Sequence, residues 1–458
     1  MKQPGGAGAI PRPLLIAALS LLALEMAGLV VQQDRSRQLF VGITLLQGLA
    51  YAAVVFQLLR RPAAPAAGLL FVLGVAALLR IGPLLGPVVW SSDIYRYVWD
   101  GMVQGAGFNP YCCIPEDRVL AHLRDEDAFP GINRRGFAPT IYPPVAQMAF
   151  ALQAWLGGKV LAMKILLVGF EAIGIAAMVL LLKRQGRRLQ DIALYAWHPL
   201  PIWEIAGSGH VDALIVAFVP LALLAALSGR RILTGVALGA AVLTKFIPLV
   251  LVPALWRRGD WRMPLALLAF IVACYLPYLG VGMRVFGYLK DYPAEEGLLP
   301  DSGSGFWVVD TLRLMFAVPV PAGAYLVACM VVLALLALRY LGRADRPQSV
   351  LHGAMVLGFA TVMLLSPHYA WYFVWVIMLL TLSPWLSGLW PTLTAFLLYW
   401  DPEGGRVPTW VGGVIYGGFL ILAIAERVWS HLQSRRTRSL SATREIHGAR
   451  RPDQAQGH

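Results

Sequence analysis

The chain has 458 residues, of which 58% are hydrophobic and only 14% carry a charge. Soluble domains carry about 25% charged residues, so this chain has too few polar groups to cover a surface that faces water. The composition therefore excludes a water-soluble domain and predicts a membrane protein. The formal net charge of +13 does not indicate nucleic-acid binding, because the basic residues concentrate in short connectors between apolar runs.

The apolar runs are long enough to cross a bilayer as helices, which takes roughly 17–25 residues. The first run is too long for the apolar part of a cleavable signal, so we interpret it as a retained span. The predicted spans, in chain order, cover about residues 13–33, 39–59, 66–90, 159–182, 190–206, 210–228, 263–282, 322–341, 350–366, 368–383, 388–400 and 408–428. The sequence thus predicts an all-α polytopic membrane protein of about 12–14 transmembrane helices in one domain, residues 1–430.

Charges in the connectors predict how the chain crosses the membrane. Clusters of Lys and Arg occupy residues 183–188, 230–231, 257–262, 339–346 and 427–451. Basic connectors stay in the cytoplasm, so both termini are predicted to be cytoplasmic, and the basic tail 431–458 is expected to be disordered. The intervals 91–158 and 283–321, which are richer in acidic residues, are predicted to face outward.

The first outward interval is the longest polar stretch between spans. Loops of such length are uncommon unless they are functional or disordered, and this one is rich in Trp, Tyr, Phe and Ile, which favours an ordered loop. Residues 145–156 are apolar but too short for a span. We expect them to lie along the outer interface or to dip into the membrane and return, because the next span must end inside at Lys183.

The apolar segment 232–255 is interrupted by Thr244, Lys245 and Pro248 and flanked on both sides by arginine pairs. A single crossing would place Arg257 outside. Two half-length helices folded as a hairpin keep both ends inside, with Lys245 at the outward tip. Alternatively, Lys245 only extends its ammonium group from a broken helix toward water.

The outward interval begins with a candidate catalytic helix. If it is helical from Asp93, then Arg96, Tyr97 and Asp100 share one face with Asp93. A preceding serine can cap the start, and glycines at 105 and 107 can end it. The alternative is a solvated helix face with an internal Asp–Arg pair.

Other polar and aromatic residues are predicted at the same outer level. Ionisable groups at the edge of a helix bundle are costly without partners and mark functional sites. The candidate substrate-binding residues are Arg96, Tyr97, Asp100, Asn109, Tyr111, Arg134, Arg135, Tyr142, Glu204, His210, Asp212, Lys245, His368 and Tyr369. For some of them a purely structural role stays open as an alternative: Arg134 and Arg135 as solvated groups, His210 with Asp212 as a structural pair, and His368 as an interfacial anchor.

The cysteines and the spacing of possible metal ligands indicate neither a disulfide framework nor a zinc site. Cys112 and Cys113 are adjacent, and no CxxC or Cys/His spacing suggests zinc, so a disulfide framework is not expected. Asp93 has no acidic neighbour in sequence. We therefore predict no tightly bound metal and no other certain cofactor, while a need for a divalent cation stays open.

Several segments resemble one family. The run Ser-Asp-Ile-Tyr-Arg-Tyr-Val-Trp-Asp-Gly at 92–101, with Gly-Phe-Asn-Pro-Tyr at 107–111 and Tyr-Pro-Pro at 142–144, resembles the first catalytic loop of bacterial GT-C glycosyltransferases. The Gly-Ser-Gly-His-Val-Asp turn at 207–212 and Thr-Lys-Phe-Ile-Pro at 244–248 are similar to segments of mannosyltransferase-like members.

The resemblance implies an integral enzyme of the bacterial cytoplasmic (inner) membrane, with a GT-C-type helix bundle and an active site that faces outward. It implies inverting transfer of a hexose, most simply mannose, from a polyprenyl-phosphate sugar to a lipid- or glycan-linked acceptor. Asp93 is then the catalytic base. A lipid phosphate is already a good leaving group, so one base and cations to hold the phosphate suffice. The candidate cations are Arg96, Arg134, Arg135, Lys245 and His368.

A secondary transporter is the main alternative, since broken helices and intramembrane charges occur there too. Another enzyme that acts on a lipid-linked substrate is a further alternative. Against a transporter, the sequence shows no internal repeat, and the charges collect near the outer edge rather than the midplane. A long ordered loop has no obvious use in a carrier.

Overall fold

A computed structural model describes residues 11–60, 67–292, 306–317, 320–400 and 408–448. Within these ranges the chain is built from helices and contains no β-strand. Eight of the described helices are long and apolar enough to cross a membrane, and further apolar helices are shorter. This confirms an all-α polytopic membrane protein.

The long helices follow the predicted spans closely. The helices of spanning length are Arg12–Gln33, Arg37–Leu58, Gly68–Leu85, Val160–Arg184, Arg262–Lys290, Ala322–Tyr340, Pro347–Leu365 and Thr409–Gln433. The shorter apolar helices are Asp212–Leu227, Arg231–Val242, Ala370–Leu382 and Leu389–Tyr399. Large apolar side chains such as Leu70, Met283 and Leu314 are exposed on the outside of the bundle, where lipid can solvate them.

The span predicted at 190–206 is wrong as a continuous helix. The chain there forms short helical pieces, Leu189–Ile192, Ala193–Ala196 and Pro199–Pro201, followed by a π-helical turn, Ile202–Gly207. Prolines 199 and 201 have no N–H to donate and cannot continue a regular helix. The whole segment is buried in the bundle, which is where broken backbone is tolerated in a membrane protein.

An intramembrane ion pair ties this broken segment to the long helices. Arg80 donates from Nε and Nη2 to the two carboxylate oxygens of Glu171, at 2.7 and 2.6 Å. The same arginine donates to the carbonyl of Ala196 (2.9 Å), and Tyr195 donates its hydroxyl to Glu171 (3.0 Å). Charges inside a membrane protein need such partners, so these contacts fix the third span, the helix Val160–Arg184 and the broken segment relative to one another.

The predicted hairpin is confirmed. The helix Arg231–Val242 ends before Lys245, and the chain returns through the turns Ile247–Leu251 and Val252–Leu255. The two ends of the hairpin meet, since Arg231 Nε lies 3.8 Å from Asp260 Oδ2. Lys245 therefore lies at the tip.

The basic connectors meet at the end of the bundle opposite the hairpin tip. Arg184 donates to Ser228 Oγ (2.6 Å), and Arg187 donates to the carbonyl of Thr381 (2.7 Å). Arg257 pairs with Asp345 at 2.7 Å. Together with the Arg231–Asp260 contact, these bonds place the predicted cytoplasmic connectors on one side.

Two features of the loops and tail differ from expectation. The last helix continues from Gly418 to Gly448, so residues 431–448 are helical rather than disordered, in keeping with their Leu, Gln, Arg, Ala and Glu content and their lack of proline. Cys112 and Cys113 form a disulfide although they are neighbours in sequence. Residues 1–10 and 449–458, and residues 293–305 of the second outward interval, lie outside the described residues.

Candidate active site

The first loop helix, Asp93–Gly105, begins at the predicted residue. The Ser91 hydroxyl accepts a hydrogen bond from the Asp93 N–H (3.3 Å), and the chain leaves the helix through Gly107, whose φ is +85°. The helix packs against the short apolar helix Pro144–Trp155. A side chain at Gly101 would collide with the Phe150 carbonyl, so the glycine permits this close approach.

A cavity of about 310 Å³ opens at the N-terminal end of this helix. Its lining residues are Trp90, Ser91, Ser92, Asp93, Asn133, Arg134, Ile141, Tyr142, Pro143, Thr244, Lys245, Phe246, Ile247, Leu289, Tyr292, Tyr369, Trp371 and Tyr372. The volume is at the lower end of the range of small-molecule sites, about 300–1,000 Å³. Most of the lining is aromatic or aliphatic, with a few polar groups, which is typical of a binding pocket.

Asp93 presents its carboxylate to this cavity, with 20% of the side chain exposed. Asn133 Nδ2 lies 3.4 Å from Asp93 Oδ1 at the long end of hydrogen-bond distance. On the other side, His210 Nδ1 lies 4.0 Å from Asp93 Oδ2. The carboxylate is therefore accessible to a ligand and flanked by two potential donors.

Lys245 enters the same cavity from the hairpin tip. Its ammonium donates to Asp212 Oδ2 at 2.6 Å and lies 4.8 Å from the centroid of the Tyr372 ring. Asp212 is buried, whereas Lys245 keeps 17% of its side chain exposed. An ammonium group has three N–H donors, so Lys245 can pair with Asp212 and still donate to an anion in the cavity.

The two adjacent candidate arginines of the loop, Arg134 and Arg135, lie in different surroundings. Arg134 lines the cavity, with its guanidinium 5.9 Å from the Tyr292 ring centroid, and adopts a left-handed backbone conformation (φ +56°). Arg135 lies outside the cavity in an exposed pair with Glu116 at 3.0 Å. The arrangement of Arg135 matches the solvated alternative.

Arg96 and Asp100 are buried below the cavity and do not line it. Arg96 Nε donates to Asp100 Oδ1 (2.7 Å), and its Nη1 donates to the Ala138 carbonyl (3.0 Å). Asp100 also accepts from Gln147 (2.9 Å). The pair thus anchors the loop helix to the segment after it, and the structure does not bring Arg96 to the position expected of a phosphate ligand.

Two further predicted residues contact Tyr142 in the cavity wall, and a third, Asn109, accepts a hydrogen bond from the Tyr111 N–H (3.0 Å). Tyr97 packs edge-on against the Tyr142 ring (4.9 Å between centroids), and the Tyr111 hydroxyl donates to the Tyr142 carbonyl (2.7 Å). Asn109 Nδ2 donates to the carbonyl of Tyr278 (2.9 Å). Burial raises the pKa of Tyr111, so its phenol stays a hydrogen-bond donor at neutral pH.

Glu204, His210 and Asp212 come from the broken segment and the turn after it, and they lie behind Asp93 and Lys245. The His210 ring is buried and stacks on Trp371, with 4.1 Å between centroids. Its Nε2 lies 3.2 Å from Glu204 Oε2.

The turn near residue 370 contributes aromatic side chains to the wall of the cavity. Tyr369 lines the cavity and stacks on Trp371 at 4.5 Å, whereas His368 is not among the lining residues. The candidate residues predicted from sequence omitted Trp371 and Tyr372, although both follow Tyr369 directly. Tyr292 was also missed, and nothing near it in sequence pointed to the cavity.

No group of three or more His, Cys, Asp or Glu suited to a metal ion occurs among the described residues. The absence of a tightly bound metal stays a prediction, because residues 293–305 contain further acidic side chains.

Residues 7–257 match a family model described as alpha-(1->6)-mannopyranosyltransferase, N-terminal domain. The match spans more than half of the chain and includes Asp93, Arg134, His210 and Lys245. The chain belongs to this family. Comparison with curated proteins and with solved structures gives no match.

Membership in this GT-C-like family confirms that the chain is a glycosyltransferase and a mannosyltransferase, and it removes the transporter alternative. The enzyme uses a sugar donor and an acceptor. The matched part supplies the charged side chains of the cavity, while Tyr292, Tyr369, Trp371 and Tyr372 come from the remainder of the chain.

The burial of Arg96 yields a test of its role. Arg96→Gln leaves the Asp100 carboxylate buried without its ion-pair partner, which costs about 3–5 kcal/mol. We expect a lower yield of folded enzyme and a lower midpoint of thermal unfolding in detergent, with a near-normal KM for the sugar donor in the folded fraction. Normal stability with a raised donor KM would instead show that Arg96 contacts the donor.

Proposed function

We propose that this mannosyltransferase moves a mannosyl group from a polyprenyl phosphate to an acceptor hydroxyl, with inversion at the anomeric carbon, at the outer face of the membrane. The observation that carries the proposal is that Asp93 shares one cavity with two cations, Lys245 and Arg134. A base and an anion-binding group in the same pocket are what this transfer requires.

The donor proposal is supported by the two kinds of wall in the cavity. Lys245 and Arg134 offer charge-assisted hydrogen bonds to a phosphate. Beside them, Phe246, Ile247 and Leu289 form an apolar wall. Phe246 and the nearby Leu249 are exposed on the bundle, so a prenyl chain can leave the cavity along the hairpin into lipid.

Inversion is supported by the number of carboxylates. Within the described residues, Asp93 is the one carboxylate that lines the cavity, whereas retaining glycosidases use two carboxyl groups about 5–5.5 Å apart. In the proposed step the acceptor oxygen bonds to the anomeric carbon and its proton passes to Asp93. The bond from that carbon to the phosphate oxygen breaks, and the electron pair leaves with the lipid phosphate.

The acceptor hydroxyl is proposed to be a mannosyl 6-hydroxyl on a lipid- or glycan-linked chain, following the linkage in the family description. This hydroxyl is primary and extends from the sugar ring, so it can reach Asp93 while the rest of the acceptor stays outside the small cavity.

An outward active site in a bacterial inner membrane is proposed from three observations. The cavity lies at the hairpin tip, whereas the basic connectors meet at the other end of the bundle. Basic connectors remain cytoplasmic. The Cys112–Cys113 disulfide of the same loop fits an oxidising exterior.

The role of Asp93 is tested by Asp93→Asn, which keeps the shape of the side chain but cannot accept the proton. General-base catalysis contributes about 10²–10⁴-fold, so kcat for release of lipid phosphate from labelled polyprenyl-phosphate mannose should fall by that factor. Asp100→Asn should reduce kcat less, because Asp100 bonds to Arg96 and Gln147 and does not line the cavity. Glu116→Gln removes an exposed carboxylate from the same loop and is the control. An Asp93→Asn enzyme with normal turnover would refute the assignment.

The role of Lys245 is tested by removing its charge without leaving Asp212 unpaired. The double variant Lys245→Ala/Asp212→Asn should raise the KM for polyprenyl-phosphate mannose about tenfold or more, since a hydrogen bond between charged groups contributes about 1.5–3 kcal/mol. Acceptor KM should change little. Arg124→Ala, which removes an exposed loop cation, is the control. An equal rise in donor and acceptor KM would point to a folding defect instead.

The proposed orientation is tested with reporter fusions. Fusions after residues 186 and 230 should report the cytoplasm, because both positions lie in basic connectors. A fusion near residue 120, in the first loop, should report the exterior. An external signal at residue 186 would reverse the topology and place the cavity on the cytoplasmic side.

A further inference from the structure

Behind Asp93, two buried polar side chains and a partly buried tyrosine form a row that does not reach the cavity. His210 lies between Asp93 and Glu204, and Glu204 in turn accepts from the Tyr399 hydroxyl at 2.9 and 3.0 Å. None of the three lines the cavity. A donor-binding role for His210 or Glu204 is therefore not supported, and their arrangement calls for another explanation.

The His210 ring is fixed on three sides. Trp371 stacks on its face, the Glu204 carboxylate lies at Nε2, and the His210 N–H donates to the Glu204 carbonyl at 2.9 Å. The glycine before it has φ of +73°, a conformation that a non-glycine residue rarely adopts. The orientation of the ring is thus determined by its surroundings rather than by Asp93.

Both ring nitrogens approach carboxylates, yet within the described part of the chain neither makes an aligned hydrogen bond. A fully buried imidazole without a hydrogen bond is unusual, since nearly all buried polar groups are paired. Catalytic hydrogen bonds are often long in the absence of substrate and shorten in the complex. A shift of about 1 Å by Asp93 would bring Oδ2 to hydrogen-bond distance of Nδ1.

We propose that His210, held by Glu204 and Tyr399, is the positioning residue that orients the Asp93 carboxylate toward the acceptor hydroxyl. Nδ1–H donates to Oδ2 while Asn133 donates to Oδ1, so each carboxylate oxygen keeps a further lone pair with which to accept the proton of a hydroxyl in the cavity. The inference rests on the proposed role of Asp93 as the base.

The hydrogen-bond donors and acceptors of His210, Glu204 and Tyr399 can be assigned in a way that is consistent with this role. A neutral imidazole carries one N–H, so a proton on Nδ1 leaves Nε2 as an acceptor, and Glu204 must then be the donor to it. A protonated Glu204 can give that hydrogen bond while it accepts from Tyr399. Glutamine can also donate from its amide, so Glu204→Gln should preserve the arrangement and Glu204→Leu should not.

Other groups also face Asp93 and can influence the pH dependence. They are Tyr97 from its own helix, Arg134 and Tyr142 from the loop, Asp212 from the turn and Lys245 from the hairpin. All of them are retained in the variants below, so a change in the pH profile is assigned to His210 and its row.

The test uses full-length enzyme in detergent with labelled polyprenyl-phosphate mannose and octyl α-mannoside as acceptor probe. His210→Phe keeps a ring against Trp371 but removes both nitrogens. We expect kcat to fall about 10²-fold, the effect of misplacing a catalytic group by about 1 Å, with donor KM nearly unchanged. The acidic limb of the kcat/KM profile should move to higher pH, because a lost donor disfavours the charged carboxylate.

His210→Gln should recover part of the kcat that His210→Phe loses, because the glutamine amide can donate to Asp93 in place of the imidazole. Likewise, Glu204→Gln should keep a higher kcat than Glu204→Leu, because an amide can replace the hydrogen bond to His210. His198→Phe is the matched control. His198 is equally buried, bonds to Thr392 Oγ1 at 3.0 Å and lies away from the cavity. Its loss should lower the thermal midpoint without moving the acidic limb.

If His210→Phe does not fold, Tyr399→Phe is measured in its place. The acidic limb of its kcat/KM profile should also move to higher pH, but by less. An unmoved acidic limb in the folded variants, or the same limb shift in His198→Phe, would overturn the inference. Failure of the proposed function looks different, since wild-type enzyme would then release no lipid phosphate, or Asp93→Asn would be fully active.

Discussion

Backbone polar groups cannot be left unpaired in lipid, and this constraint decides where the active site can lie. Two of the segments that depart from regular helix lie next to the site, at residues 189–207 and at the hairpin tip near Lys245. The first segment is buried in the bundle, whereas the hairpin tip lies at its rim, where Phe246 and Leu249 remain exposed. The hairpin tip lines the cavity together with the start of the loop helix at Asp93, and the first segment lies behind Asp93. The site therefore lies where irregular backbone is covered by the surrounding helices on one side and open to a ligand on the other.

Local patterns allowed the parts of the site next to a sequence signal to be predicted. The serine before Asp93 and the glycine at 105 predicted the two ends of the loop helix. The arginine pairs on both sides of Lys245 predicted the hairpin. Helical spacing also placed Arg96 beside Asp100. Spacing does not reveal which side of that helix is covered, and the segment after the loop buries the pair.

Contacts between distant segments could not be predicted from sequence. Tyr292 and Tyr399 reach the site from parts of the chain with no motif of their own. The break at 190–206 was missed because its hydrophobicity equals that of a regular span, although its two prolines were visible. Histidine 210 was identified as a polar group near the outer edge, but its place behind Asp93 depends on the π-helical turn that carries Glu204.

Asp212 has a consequence for the turnover cycle. The proposed donor is a phosphodiester with one negative charge, whereas the lipid phosphate that it would release is a monoester that carries about 1.5–2 negative charges near pH 7. A pocket with unopposed cations would hold the product more tightly than the donor and slow each cycle. The 2.6 Å bond between Lys245 and Asp212 weakens the hold of the ammonium on any second anion. If the proposed donor is used, this carboxylate therefore favours the departure of the carrier lipid after transfer.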